Sequence, residues 1–137
     1  MSTIHDFLWE NIKNYQKELK NCLIELIKCD EIKFKEKNIS GDYFKNTKIQ
    51  YKEYLDIAKG IISHDEVILV ANKMYRDYKI LCDILKDKYD FILVDEYQDT
   101  NKFVIEILLD SLKKSKKKNI IGFFGDSMQS IYVDGIG

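Results

Sequence analysis

Residues 91–100, Phe-Ile-Leu-Val-Asp-Glu-Tyr-Gln-Asp-Thr, are the stretch that decides the fold. Four apolar residues run directly into two adjacent carboxylates, and a continuous apolar run is typical of a buried parallel strand. Open α/β sheets bind ligands just beyond the carboxyl ends of such strands. Asp95 and Glu96 are therefore predicted to lie at a binding edge, where one carboxylate can hold Mg²⁺ and its neighbour can act on an attacking water.

A second apolar strand, Ile120–Phe124, leads into Gly-Asp-Ser-Met-Gln-Ser-Ile-Tyr at residues 125–132. Between the two strands, the apolar residues of Lys102–Leu112 recur at helical spacing. Strand, helix and strand of this length predict a βαβ unit with parallel strands, whose carboxyl ends share one edge. Asp95, Glu96 and Gln129 could then converge on one bound phosphate.

Both strand ends resemble motifs of one family, the UvrD/Rep-like superfamily 1 helicases. Residues 94–100 resemble motif II, the Walker B element, and residues 125–132 resemble motif III, in the same order and with similar spacing. The resemblance implies an α/β fold that is part of a RecA-like P-loop NTPase domain. It also implies a parent protein that couples Mg-ATP hydrolysis to movement on single-stranded DNA.

The resemblance assigns roles to individual residues. Asp95 would coordinate the Mg²⁺ of Mg-ATP, Glu96 would be the general base or would position the attacking water, and Gln129 would sense the γ-phosphate. Gln98 and Asp99 would belong to the nucleotide site and couple it to neighbouring motifs.

Asp126 would also bind the nucleotide, and Tyr132 would lie near the path of single-stranded DNA, where an aromatic ring can stack on a base. The chain departs from the family pattern at 133–137, Val-Asp-Gly-Ile-Gly, where Gly-Trp-Arg-Gly-Ala is usual. That departure removes the usual Trp and Arg and indicates a divergent subgroup.

The sequence contains no Gly-x-x-x-x-Gly-Lys-Ser/Thr, and Arg76 is its single arginine. Without that motif there is no backbone cradle or lysine for the β- and γ-phosphates. We therefore expect an internal or truncated piece of a helicase that binds ATP weakly and does not hydrolyse it alone. The alternative is a non-catalytic module that binds DNA or a partner protein through its helical half.

Before Asp90 the pattern is helical. Ser2 or Thr3 can cap a long helix running to about Lys28. Its apolar seam favours an intramolecular helical hairpin over a coiled-coil dimer and consists of Leu8, Ile12, Tyr15, Leu19, Cys22 and Leu26.

The chain then predicts a loop over residues 30–47 and a second helix over roughly Lys48–Ile62. A third helix, capped by Ser63 or His64, should run to Tyr75 and continue or kink through Lys86. Residues 1–62 are assigned to a helical insertion region, and residues 63–137 to the partial RecA-like domain.

Composition excludes little. The net charge is −1, so overall charge gives no argument for nucleic acid. Three cysteines without a C-x-x-C pair, and two histidines without ligand-like spacing, predict no metal site of their own. The sequence shows no signal peptide and no apolar stretch of membrane-spanning length, so we expect a cytoplasmic protein without a membrane partner. Oligomeric state, biological pathway and direction of movement are left open.

Overall fold

The chain divides into two compact units, Met1–Met74 and Tyr75–Gly137. The computed structural model describes residues 3–34, 39–95, 102–114, 119–124 and 129–134. Helices and short parallel strands make it an α/β protein, as predicted. The boundary between the two units follows Met74, whereas the predicted domain boundary follows residue 62. The assignment of 1–62 and 63–137 to domains of the helicase family stays a prediction.

The first unit begins with two helices, α1 at Ile4–Ile12 and α2 at Gln16–Lys28. Thr3 caps α1, because its side-chain oxygen accepts a hydrogen bond of 3.2 Å from the backbone N–H of Asp6. The prediction of one helix up to Lys28 is wrong, because Tyr15 leaves the helical region with φ −98° and ψ 61°.

The side chain of Gln16 accounts for the break between these helices. Its amide nitrogen donates to the carbonyl of Lys13 at 2.6 Å, and its amide oxygen accepts from the N–H of Ile49 at 2.9 Å. Gln16 therefore satisfies a backbone carbonyl at the break and links the break to the backbone of Ile49. The predicted seam is buried within the chain on both sides of the break, at Leu8, Ile12, Leu19, Cys22 and Leu26, which confirms intramolecular packing.

Residues 48–62 form strands and not the predicted second helix. Strand β1, Gln50–Tyr51, pairs in parallel with β2, Ile61–Ile62, and a short 3₁₀ helix at Ile57–Lys59 precedes β2. Gly60 ends the 3₁₀ helix at φ +74°, and its carbonyl accepts from the N–H of Gln50 at 2.9 Å. This left-handed residue, which favours glycine, lets the chain turn directly into β2.

Helix α3 extends over His64–Asp77. A Glu66 carboxylate oxygen accepts hydrogen bonds from the hydroxyl and the backbone N–H of Ser63, the latter at 3.1 Å. The bond from the Ser63 N–H to Glu66 is one half of a capping box, and the Ser63 carbonyl accepts from the N–H of Val67 at 3.1 Å, so Ser63, one of the two predicted caps, occupies the cap position. The Nζ atom of Lys73 lies 2.9 Å from a carboxylate oxygen of Glu25, so an ion pair joins α3 to α2 inside the first unit.

The second unit contains α4, Lys79–Lys88, followed by strand β3, Phe91–Asp95. The helix α5, Lys102–Glu106, continues as one π-helical stretch, Ile107–Ser111, and a 3₁₀ turn, Leu112–Lys114. Strands β4, Asn119–Phe124, and β5, Gln129–Asp134, complete a sheet of order β3-β4-β5. The predicted third helix was expected to continue or kink beyond Tyr75, and the structure shows two helices, α3 and α4, separated at Tyr78.

Candidate functional site

Strand β3 places Asp95, the first of the two predicted acidic residues, at an edge of the sheet. It pairs in parallel with β4, with Phe91 opposite Ile120 and Asp95 opposite Phe124. Ile92 and Ile121, at 7% and 1% exposure, show that one face of this strand pair is covered. Both strands therefore run toward the same rim, and Asp95 is the last residue of β3 at that rim.

Strand β5 brings Gln129 back to the same rim. It runs antiparallel to β4, and Gln129 is paired with Phe124. Asp95, Phe124 and Gln129 thus form one row across three strands, hereafter the rim row. Since neighbouring strands lie 4.7–4.9 Å apart, the backbones of Asp95 and Gln129 are separated by about 10 Å.

The sequence did not predict β5, and this changes how Gln129 reaches the rim. We expected Gln129 to follow the second parallel strand and made no prediction of a third strand. The structure places it as the first residue of a third, antiparallel strand. The signal for this strand was available in Gln129–Val133, where β-branched and aromatic residues predominate over a short run.

The predicted site residues are only partly placed by the structure. Tyr132 pairs with Ile121, three positions along β5 from the rim row, so its backbone lies within β5 and away from the rim. Its assignment to a DNA path stays a prediction. Four further predicted residues lie outside the described part of the chain, namely Glu96, Gln98, Asp99 and Asp126.

The helical part of the second unit has a packed interior. Val104, Ile107 and Leu112 are fully buried. The buried thiol of Cys82 on α4 donates to the carbonyl of Tyr75 at 3.2 Å and to that of Ser111 at 3.4 Å. A packed scaffold of this kind is what holds functional residues at a sheet rim in place.

The opposite face of β3 is apolar and open. Phe91 and Leu93 are 49% and 57% exposed, and they alternate with buried Ile92. Parallel strands are normally covered on both faces. A longer polypeptide containing this segment has an apolar surface here on which further structure can pack.

Other kinds of site are not found in the described residues. Within those ranges, no three histidine, cysteine, aspartate or glutamate side chains come together as metal ligands. Of the helices described, none combines the length and the apolar character that crossing a membrane requires. Cys22 and Cys82 are buried, whereas Cys29 is exposed.

The sequence matches a known protein family. The profile described as the UvrD/REP helicase N-terminal domain matches residues 2–133. The chain belongs to the UvrD/REP helicase N-terminal domain family. The match extends over both compact units, so the helical first unit is included in the UvrD/REP domain along with the strands that carry the rim row.

Individual relatives agree with the UvrD/REP assignment. The chain is 47% identical over 79 residues to the Gabija protein GajB of Bacillus cereus (strain HuB5-5), covering 56% of this chain and 12% of that protein. It is 39% identical over 82 residues to the ATP-dependent DNA helicase Rep of Buchnera aphidicola, covering 60% and 12%. With the ATP-dependent DNA helicase PcrA of Staphylococcus aureus (strain Mu50) it shares 37% identity over 71 residues, covering 52% and 9%.

The matched segment is a small part of each relative. The chain spans no more than 12% of the length of these three curated proteins. No solved structure matches the chain significantly.

Proposed function

We propose that this chain is part of an ATP-dependent DNA helicase or translocase, and that the rim row is one wall of its nucleotide site. The observation that carries the proposal is the register of the sheet, which sets Asp95 and Gln129 in one row at one rim. Two of the matched relatives are named ATP-dependent DNA helicases. The partner of the parent protein would be single-stranded DNA.

The residues at and beyond the rim row suit a magnesium-bound nucleotide. Oxygen ligands are those that Mg²⁺ prefers, and it is usually held by one or two carboxylates together with phosphate oxygens. In this proposal Asp95 holds the ion, and the ion neutralises charge on the phosphates. Glu96 follows directly in the sequence and accepts the proton of the attacking water.

The remaining predicted residues complete the proposed site. Gln129 carries an amide that can donate a hydrogen bond to a γ-phosphate oxygen. This bond would be present with ATP and lost after hydrolysis, so β5 would sense which nucleotide is bound. Gln98, Asp99 and Asp126 would support the nucleotide from the segments that follow β3 and β4. Tyr132 would contribute an aromatic surface to the DNA path.

The open face of β3 supports the view that this segment works inside a longer protein. Exposed Phe91 and Leu93 would be covered there by further elements of the RecA-like domain. The phosphate cradle that this sequence lacks would also come from those elements. In this proposal the 137-residue chain alone supplies the residues that act on Mg²⁺ and water, but not the loop that binds the phosphates.

Calorimetric titration of the isolated chain tests whether the phosphate-binding loop is supplied by other elements of the parent protein. Mg-ATP should show no tight binding to the 137-residue chain, and no hydrolysis should be detected, because the sequence lacks the Gly-x-x-x-x-Gly-Lys-Ser/Thr motif that supplies loop N–H groups and a lysine to the phosphates. A dissociation constant of about 1 μM or below, equivalent to about −8 kcal/mol, would mean that the chain itself contains a phosphate cradle.

The same titration on a longer parent protein distinguishes the helicase hypothesis from the alternative, a non-catalytic binding module. Asp95→Asn should weaken the Mg²⁺ dependence of ATP binding there. Asp90→Asn is the matched control, because Asp90 precedes the opposite end of β3 and its backbone carbonyl accepts from Ile120. A parent that binds DNA but shows no magnesium-dependent ATP binding would refute the helicase hypothesis.

A further inference from the structure

Three side chains that are far apart in sequence meet in the first unit. The rings of His5, on α1, and His64, at the start of α3, have centroids 4.7 Å apart in an edge-to-face arrangement. The hydroxyl of Tyr51, on β1, is hydrogen bonded to Nδ1 of His64. His5, Tyr51 and His64 are named here the imidazole–phenol cluster.

The cluster joins three elements at one point. It connects α1, β1 and the first turn of α3, and the Trp9 ring lies 6.1 Å from that of Tyr51. Nothing in the sequence pattern predicted it, because residues 5, 51 and 64 share no motif. We propose that the imidazole–phenol cluster is an acid-sensitive contact that holds α1 and β1 against the start of α3 when both imidazoles are neutral.

The hydrogen bond explains why neutrality matters. A neutral imidazole has one bare ring nitrogen that accepts a hydrogen bond, and an imidazolium has none. Burial raises the pKa of the Tyr51 hydroxyl, with Asp6 and Glu53 adding to the effect, so this hydroxyl keeps its proton and can donate to Nδ1 of His64. Protonation of His64 at Nδ1 would remove that acceptor.

Burial sets the direction of the pKa shift of His5, and the neighbouring charges modify it. Partial burial lowers the pKa of His5 below its ordinary value of 6.5, and the adjacent His64 lowers it further. Asp6 on α1 and Asp65 on α3 act in the opposite sense, and they are the weaker influences. The folded chain therefore resists a proton on His5 that the unfolded chain accepts.

The sign of the pH dependence follows from this difference. A histidine with a lowered pKa in the folded state contributes stability that is present above its unfolded value of 6.5. That contribution is lost as the pH falls through the folded pKa. For one proton, the unfolding equilibrium constant can rise by up to about tenfold per pH unit within this window.

Nuclear magnetic resonance can follow both imidazoles directly, because the chain contains only two histidines. Their C–H resonances should be recorded from about pH 8 to about pH 4.5, the range in which imidazoles titrate. His5 should titrate with a midpoint below 6.5, and His64→Gln should raise that midpoint, because the side chain that lowers the pKa of His5 has been removed. A His5 midpoint at or above 6.5 in the unsubstituted chain would overturn the proposal, as would a midpoint unaffected by His64→Gln.

Stability measurements give a second readout. His5→Phe keeps an aromatic ring against His64 but cannot titrate, so its melting temperature should fall less than that of the unsubstituted chain on acidification. Tyr54→Phe is the control, because Tyr54 is 55% exposed and should leave the pH dependence unchanged. An equal loss in His5→Phe and the unsubstituted chain would refute the acid-sensitive role. If His5→Phe does not fold, the resonance titration of the unsubstituted chain still decides.

Discussion

Replacement of Glu96 by glutamine in a longer parent protein should slow ATP hydrolysis roughly 10²- to 10⁴-fold, the range that general base catalysis contributes. The amide is nearly the same size as the carboxylate but cannot accept the proton of the attacking water. Asp95 is unchanged in this variant, so Mg-ATP binding should remain close to that of the unsubstituted protein.

Two measurements separate this loss of chemistry from a loss of binding. Hydrolysis is followed by phosphate release at saturating ATP, and binding is followed by a fluorescent nucleotide analogue under the same conditions. Asp90→Asn, which removes a carboxylate next to the opposite end of β3, should change neither quantity appreciably. Hydrolysis retained in Glu96→Gln would show that another group activates the water.

Substitution of Gly60 by alanine should destabilise the first unit by about 1–3 kcal/mol through backbone strain alone. Gly60 has φ +74°, a region that residues with a Cβ rarely adopt. A Cβ atom added there would also lie 2.6 Å from the Cγ2 methyl of Thr47, which is closer than van der Waals contact allows. The measurement is the free energy of unfolding from denaturant titration.

Two further variants separate backbone strain from the clash. Gly41→Ala is the matched control, because a Cβ there meets nothing within 4 Å and its φ is not positive. It should leave stability unchanged or raise it by up to about 1 kcal/mol. In a Thr47→Ser background the methyl is absent, so Gly60→Ala should cost less. An equal cost in both backgrounds would assign the whole effect to the backbone, and no cost in either would contradict the left-handed conformation.

The strand that ends at Asp95 could be predicted because local and global signals agree there. Phe91–Val94 is a continuous apolar run that is too short for a helix of ordinary length, and polar residues bound it on both sides. The same holds for Ile120–Phe124. The helical spacing between them then leaves a parallel βαβ unit as the simplest arrangement, and the pairing of β3 with β4 confirms it.

The region 48–62 could not be predicted in the same way. Its apolar residues fit helical spacing, but tertiary packing buries a different set of side chains. Tyr54 and Leu55, at helical spacing with Ile62, are 55% and 44% exposed, whereas Ile49 and Ile57, outside that helical face, are buried together with Ile62. The left-handed conformation of Gly60 and the pairing of β1 with β2 depend on contacts across the chain, which a periodic pattern does not contain.

The break between α1 and α2 has a similar origin. Apolar spacing continues through Lys13–Tyr15, so the pattern alone indicates one helix. The break depends on the Gln16 side chain, which reaches the backbone of Ile49, a residue far along the chain. A polar side chain that bonds to a distant backbone leaves no periodic signal in the sequence.

For the proposed site, the sequence predicts the residue types and the edge of the sheet at which they are expected. It does not predict that Gln129 lies on an antiparallel strand. The acidic pair follows from the end of β3 because a strand end is a local feature. After Phe124 the chain could either leave the sheet or turn back along β4, and a short β-rich run does not distinguish these two courses. The structure shows that the chain turns back as antiparallel β5.

The most direct test of the central claim is a crystal structure of a longer parent protein bound to Mg²⁺ and a non-hydrolysable ATP analogue. We expect an oxygen of Asp95 in the coordination shell of the ion, directly or through one water, and the Gln129 amide within hydrogen-bonding distance of the γ-phosphate. A nucleotide bound away from the rim row, with neither side chain near its terminal phosphate, would contradict the account.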